Sequence, residues 1–219
     1  MIGADQVKDQ RLQLPDGRTL GFRIYGDPQG LPVLFLHGTP GSRLKFAIAH
    51  EAGKSLALAI VAPDRWGYGL TEPPSTPSLR GFADDMAVLM DRLGSRRFAV
   101  GGISGGGPDK RLIRRPEVRQ RILRSLREGL RPGTAGPNID LSIFSRPWKI
   151  DLSTITAPAR LWIGSLDSNV PLAAVRALAQ RIAHCVVTEL PNEGHLWVSV
   201  HHADVLAWVA AAINTDAGA

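Results

Sequence analysis

Phe98-Ala99-Val100-Gly101-Gly102-Ile103-Ser104-Gly105-Gly106 decides the fold. Its first half is short, uncharged and apolar, the pattern of a strand buried on both faces. Its second half matches G-x-S-x-G. A serine on a tight turn between strand and helix needs neighbours without side chains, and glycine supplies them. Two other glycine-rich readings fail on residue identity. A phosphate-binding loop needs G-x-x-x-x-G-K-[ST], and no lysine stands in that place. The dinucleotide pattern needs Gly at i, i+2 and i+5. Lys110 and Glu72 occupy the third position of the only candidate runs.

Upstream, residues 7–25 read as a hairpin around Pro15-Asp16-Gly17. Pro32-Val33-Leu34-Phe35-Leu36 and residues 56–62 read as buried strands, the first ending in His37-Gly38-Thr39-Pro40-Gly41-Ser42 and the second in Pro63-Asp64-Arg65-Trp66-Gly67-Tyr68-Gly69. A helix is expected around 43–54. Another runs from an N-cap at Ser78 to Leu93, with Phe82, Met86, Leu89 and Leu93 on one face and Gly94 as its stop. Downstream, Arg160–Gly164 and Cys185–Leu190 read as strands, and residues 172–183 and about 202–213 as helices. Short buried strands alternating with helices predict an α/β fold. The expected form is a doubly wound, mostly parallel sheet with an N-terminal antiparallel hairpin, in one domain over 1–219.

Serine is a weak nucleophile at its free pKa, so Ser104 needs a base and the base needs an orienting acid. His195 follows the last expected strand and Asp167 the one before it, so both fall where open α/β sheets place their sites. The chain order is serine, acid, histidine. Asp109, Asp140 and Asp151 are rival acids, but none follows a buried strand. A developing oxyanion needs N–H donors. Gly105, after the serine, and Gly38 or Thr39, after the strand at 33–36, are the candidates. The Asp64–Gly69 segment is expected to brace the site without chemistry of its own.

Composition narrows the alternatives. The chain has 219 residues, a net charge of +6 and one cysteine, Cys185. That excludes an internal disulfide and a cysteine-based metal cluster. No apolar stretch reaches membrane-span length, and no secretory signal is legible, so a cytoplasmic setting is expected. The charge is local. Residues 110–131 carry nine basic side chains opposed by Glu117 and Glu128, and the rest is nearly neutral. The main reading of this run is the solvated face of an amphipathic helix at 116–130, with Val118, Ile122, Leu126 and Leu130 as its apolar stripe. The alternative is a basic module binding polyanions. No nucleic acid, cofactor or metal is expected, and the partner is a small-molecule substrate.

Together these segments resemble the α/β-hydrolase superfamily. The matching pieces are the runs 37–42, 64–69 and 102–106, Gly164 to Asp167 with Val170-Pro171, and Gly194-His195. The resemblance implies a cofactor-free serine hydrolase of esters, or secondarily amides. Its aspartate-nucleophile branches are disfavoured by Ser104. The chain departs from the family after the serine turn. Pro108-Asp109-Lys110-Arg111-Leu112-Ile113-Arg114-Arg115 replaces a buried apolar helix, and only 63 positions separate Ser104 from Asp167. One helix–strand unit is therefore expected to be missing, with residues 109–150 a reduced cap. The strand at 160–164 must then pair directly with that at 98–103 or leave an open edge. A catalytically weak or inert homologue is the matching alternative function.

Overall fold

The computed structural model describes residues 7–104 and 109–216. These form two compact units. Residues 7–104, 120–148 and 202–216 make the larger, and 109–119 with 149–201 the smaller.

The larger unit is built on a five-stranded sheet in the order β1-β2-β4-β3-β5. Its strands are β1 (Gln10–Gln13), β2 (Thr19–Gly26), β3 (Leu31–Leu36), β4 (Leu58–Pro63) and β5 (Ala99–Gly102). The β1–β2 and β2–β4 pairs are antiparallel, whereas β3 pairs parallel with β4 and β5. The sheet is thus mixed. All six residues of β4 are buried, as its central place and unbroken apolar sequence require. It begins at Leu58 rather than Leu56 because Ala57 takes a positive φ in the turn leaving α1 (His50–Ser55). The expected helix at 43–54 is a 3-10 segment, Arg43–Ala49, running into α1. Helix α2 (Leu79–Arg92) starts where Ser78 Oγ accepts the Gly81 N–H at 3.0 Å, and ends at Gly94 with φ 71°. Its Met86, Leu89 and Met90 pack with Leu14, Leu20, Phe22, Leu34 and Val61 into a core on one sheet face.

Strand β5 corrects the expectation of a buried run from Phe98 to Ile103. Only Ala99–Gly102 is extended, it alternates between half-buried and exposed, and Val100 is 65% exposed. The cause is its position. It pairs with β3 alone, and among the described residues no strand lies on its other edge.

The smaller unit holds β6 (Ala159–Gly164) and β7 (Cys185–Leu190), paired parallel in a separate two-stranded sheet, with α6 (Leu172–Ala179) packed on both. The strand expected at 160–164 takes β7 as its partner. Between 109 and 158 lie α3 (Lys110–Ile113), α4 (Pro116–Gly129) and α5 (Ala135–Phe144), and no strand. Along α4, Arg119, Arg124 and Arg127 are exposed and Arg121 half-buried, while Val118 and Ser125 are buried; Leu130, expected on the apolar stripe, is exposed. The closing helix is α7 (Val198–Asp216). Among the described residues no helix is long and apolar enough to cross a membrane.

Candidate active site

Within the larger unit, β3 and β5 run side by side, pairing Leu36 with Gly102, and Ile103 N–H donates to Leu36 O at 3.0 Å. The segment His37-Gly38-Thr39 and exposed Ser104 therefore leave the same end of adjacent strands. Gly105, the third expected oxyanion donor, lies outside the described residues.

The turn at 37–39 is held by its own histidine. His37 is buried, its Nδ1–H donates to Gly38 O at 2.8 Å, and its Nε2 accepts the Arg65 N–H at 3.0 Å. One neutral tautomer satisfies both bonds. Burial, with smaller repulsion from Arg65, Lys45 and Arg43, pushes the ring down to about 3. The Arg65 guanidinium donates to His37 O at 3.3 Å and Thr39 Oγ1 at 3.2 Å. In a trans peptide the C=O and N–H point oppositely. Both carbonyls here, of His37 and Gly38, are turned toward donors. The N–H groups of Gly38 and Thr39 consequently point the other way, and neither meets an acceptor among the described residues.

Arg65 is anchored in turn. It pairs with Asp140 of α5, whose Oδ2 also accepts from Thr39 Oγ1 and, at 2.7 Å, from Tyr68 Oη. Burial and the Asp140 bond push the Tyr68 phenol well above its usual range. The segment 64–69, expected only to brace, does so through Arg65 and Tyr68. Asp140, weighed in the sequence as a rival acid, lies buried in this cluster instead. The signal that could have found it is a lone carboxylate in the otherwise apolar run Ile139-Asp140-Leu141.

In the smaller unit the structure brings Asp167 and His195 together. Asp167 Oδ2 accepts from His195 Nδ1 at 2.8 Å, with side-chain exposures of 3% and 5%. Asp167 Oδ1 accepts the N–H groups of Asn169 (2.8 Å) and Val170 (3.1 Å), the turn geometry an Asx residue favours. Both oxygens are thus fixed, and the imidazole is held in the tautomer that presents Nε2 as its basic atom. The turn carrying His195 lies so close to the end of β6 that a Cβ at Gly164 would stand 2.2 Å from Glu193 O. A cavity of about 220 Å³ opens beside His195, lined by Asp109, Arg111, Ser168 and Asn192 among others. Arg111 pairs with Glu193. Of the other rival acids, Asp109 caps α3 and Asp151 caps a 3-10 turn. Among the described residues no group of three or more metal-ligating side chains occurs.

Residues 32–108 match the family model described as the alpha/beta hydrolase fold. A putative aryl esterase from Burkholderia cenocepacia superposes with a TM-score of 0.73 at 18% identity, covering 97% of this chain and all of that one. The chain has a reduced α/β-hydrolase-like fold. A non-heme chloroperoxidase of Streptomyces lividans is 32% identical over 110 residues, 47% of this chain and 38% of its own. The juvenile hormone epoxide hydrolase of Bombyx mori is 38% identical over 90 residues, 36% of this chain and 19% of its own. The chain thus spans well under half the length of these two relatives.

Proposed function

We propose that the chain is a serine hydrolase cleaving small-molecule esters, and secondarily amides, through an acyl-enzyme. The observation that carries this reading is the buried Asp167–His195 pair, with the imidazole tautomer fixed by a carboxylate whose other oxygen is locked by two backbone N–H groups. Ser104 Oγ attacks the ester carbonyl carbon while His195 Nε2 takes its proton. The carbonyl electrons move onto oxygen, and the N–H groups of Gly38, Thr39 and Gly105 receive the negative charge. When the tetrahedral species collapses, the C–O bond to the alcohol breaks and the imidazolium returns the proton to the alkoxide. Water, deprotonated by the same histidine, then attacks the acyl-serine. The carboxylic acid departs and Ser104 is regenerated. Water is the co-reactant consumed, and every side chain is regenerated.

The esterase named among the structural relatives supports the substrate class, and the serine at position 104 favours this reading over aspartate-nucleophile chemistry. The test is hydrolysis of short p-nitrophenyl esters. Ser104→Ala should lower turnover on the order of 10⁶-fold, as single losses from such triads do. An organophosphate should label Ser104 and abolish turnover. Retention of a tenth of the activity by Ser104→Ala would remove the assignment. That β5 pairs with β3 alone among the described residues favours a second reading, a slow or inert homologue, for which the wild-type chain would fail the same assay.

A further inference from the structure

We infer that Asp140 is a positioning residue for ester hydrolysis, holding the Gly38–Thr39 N–H pair in register through Thr39 and Arg65. The inference rests on the serine-hydrolase reading and adds a residue outside its triad. Three groups from two segments, 37–39 and 64–69, converge on one buried carboxylate: Thr39 Oγ1, Tyr68 Oη and the Arg65 guanidinium. Thr39 is 101 positions away in sequence. The same Arg65 reaches the His37 carbonyl and Thr39 Oγ1, so Asp140 fixes the group that orients the first peptide of the turn and the side chain that follows the second.

The helix bearing Asp140 is seated firmly enough for this. A Cβ at Gly136 would stand 2.6 Å from the Tyr68 ring, and one at Gly67 would stand 2.6 Å from Gly136 N. These approaches leave α5 little freedom against the 66–69 turn. The Phe144 ring, one turn beyond Asp140, lies 5.7 Å from the Arg65 guanidinium carbon and covers it. Tyr68 packs edge-on against His37 at 5.1 Å, closing the cluster around the donor loop. A purely structural ion pair needs no such convergence on the loop that carries the Gly38 and Thr39 N–H groups.

The perturbation is Asp140→Asn, which keeps shape and removes the charge that holds Arg65. The expected result is a ~10–100-fold fall in kcat, the cost of ~1 Å misplacement or a weakened oxyanion donor, with KM within about threefold. A structural lesion could also lower kcat, so the deciding readout is discrimination between an ester and its thionoester. Sulfur accepts N–H bonds poorly, so a working oxyanion site favours the oxygen ester. If Asp140 positions those donors, the ester-to-thionoester kcat ratio of Asp140→Asn falls at least tenfold below wild type. An unchanged ratio overturns the inference, even if both rates drop. Thr39→Val, which leaves the Asp140–Arg65 pair in place and removes only the hydroxyl, should shrink the ratio in the same direction and decides the matter if Asp140→Asn does not fold. If wild type hydrolyses no ester, the hydrolase reading itself falls. If wild type is active, Ser104→Ala is dead and the ratio is unmoved, the positioning role alone is wrong.

Discussion

Replacing Arg43 by methionine should cost about 3 kcal/mol of stability at pH 8. The Arg43 guanidinium is 2% exposed and donates to three carboxylates. Its Nε and Nη2 clasp Asp9 at 2.7 Å each, and its Nη1 reaches Asp64 at 2.6 Å and Glu128 at 2.8 Å. Asp9, at 35% side-chain exposure, stays paired with Arg23, and Glu128 keeps 20% and can turn to water once released. Asp64 has no exposure and cannot. Breaking a buried pair by removing one partner costs ~3–5 kcal/mol. The lower end applies, because Asp64 keeps the N–H groups of residue 43 and Leu70. For a domain this size that is a fall in Tm of roughly 6–12 °C. Burial already pushes the Asp64 carboxyl up against the pull of Arg43. Without the cation it rises further, so the penalty is present above that raised value and shrinks as falling pH protonates the group. Against its own desolvation, the pairings with Arg43 and Arg23 together lower Asp9 from 3.8 to about 2, and their contribution is lost only below about pH 4. After screening at a third-exposed site it is worth ~1 kcal/mol. Thermal melts of wild type and Arg43→Met between pH 5 and 8 check the reasoning. A Tm loss below 2 °C at pH 8, or a loss that grows as pH falls, would refute it.

His37 should remain neutral from pH 5 to 8, so its ring ¹⁵N shifts should not move in that range; a midpoint there would remove the buried tautomer. Since its folded value is about 3 against an ordinary 6.5, protons bind the unfolded chain first, and its contribution to stability should decline as pH falls from about 6.5 toward 3. Gly164→Ala should drive a Cβ into Glu193 O and displace the turn bearing His195, lowering ester turnover at least ~10-fold without altering any residue of the triad. Unchanged turnover would mean that this turn relaxes freely.

Local chemistry made much of the fold readable. Ser78 and Gly94 bound α2 because a side-chain cap and a left-handed stop act within a few residues. The unbroken apolar run of β4 marks the sheet centre for the same reason. The pairing of Asp167 with His195 was legible because each follows a parallel strand, and neighbouring strands bring their ends together. What escaped depends on partners distant in sequence. Nothing near Arg43 announces that Asp9, Asp64 and Glu128 will surround it. Nothing near Asp140 announces Thr39. The exposure of β5 was equally hidden, since its own residues are apolar and nothing in them announces that Val100 stands 65% exposed.

The packing of the larger sheet has a consequence for synthesis on the ribosome. All five strands and α2 lie between residues 10 and 102, so the core of Leu14, Leu20, Phe22, Leu34, Val61, Met86, Leu89 and Met90 can close as soon as that stretch has emerged. Buried Val205, Leu206 and Val209 of α7, in the same compact unit, arrive about a hundred residues later. At ~5–20 residues per second the nascent sheet waits roughly 5–20 s for them. During that interval the β5 edge has no strand partner beyond β3, and a holding chaperone or a slow codon run near residue 102 would shift the yield of folded chain more than the same change near residue 180.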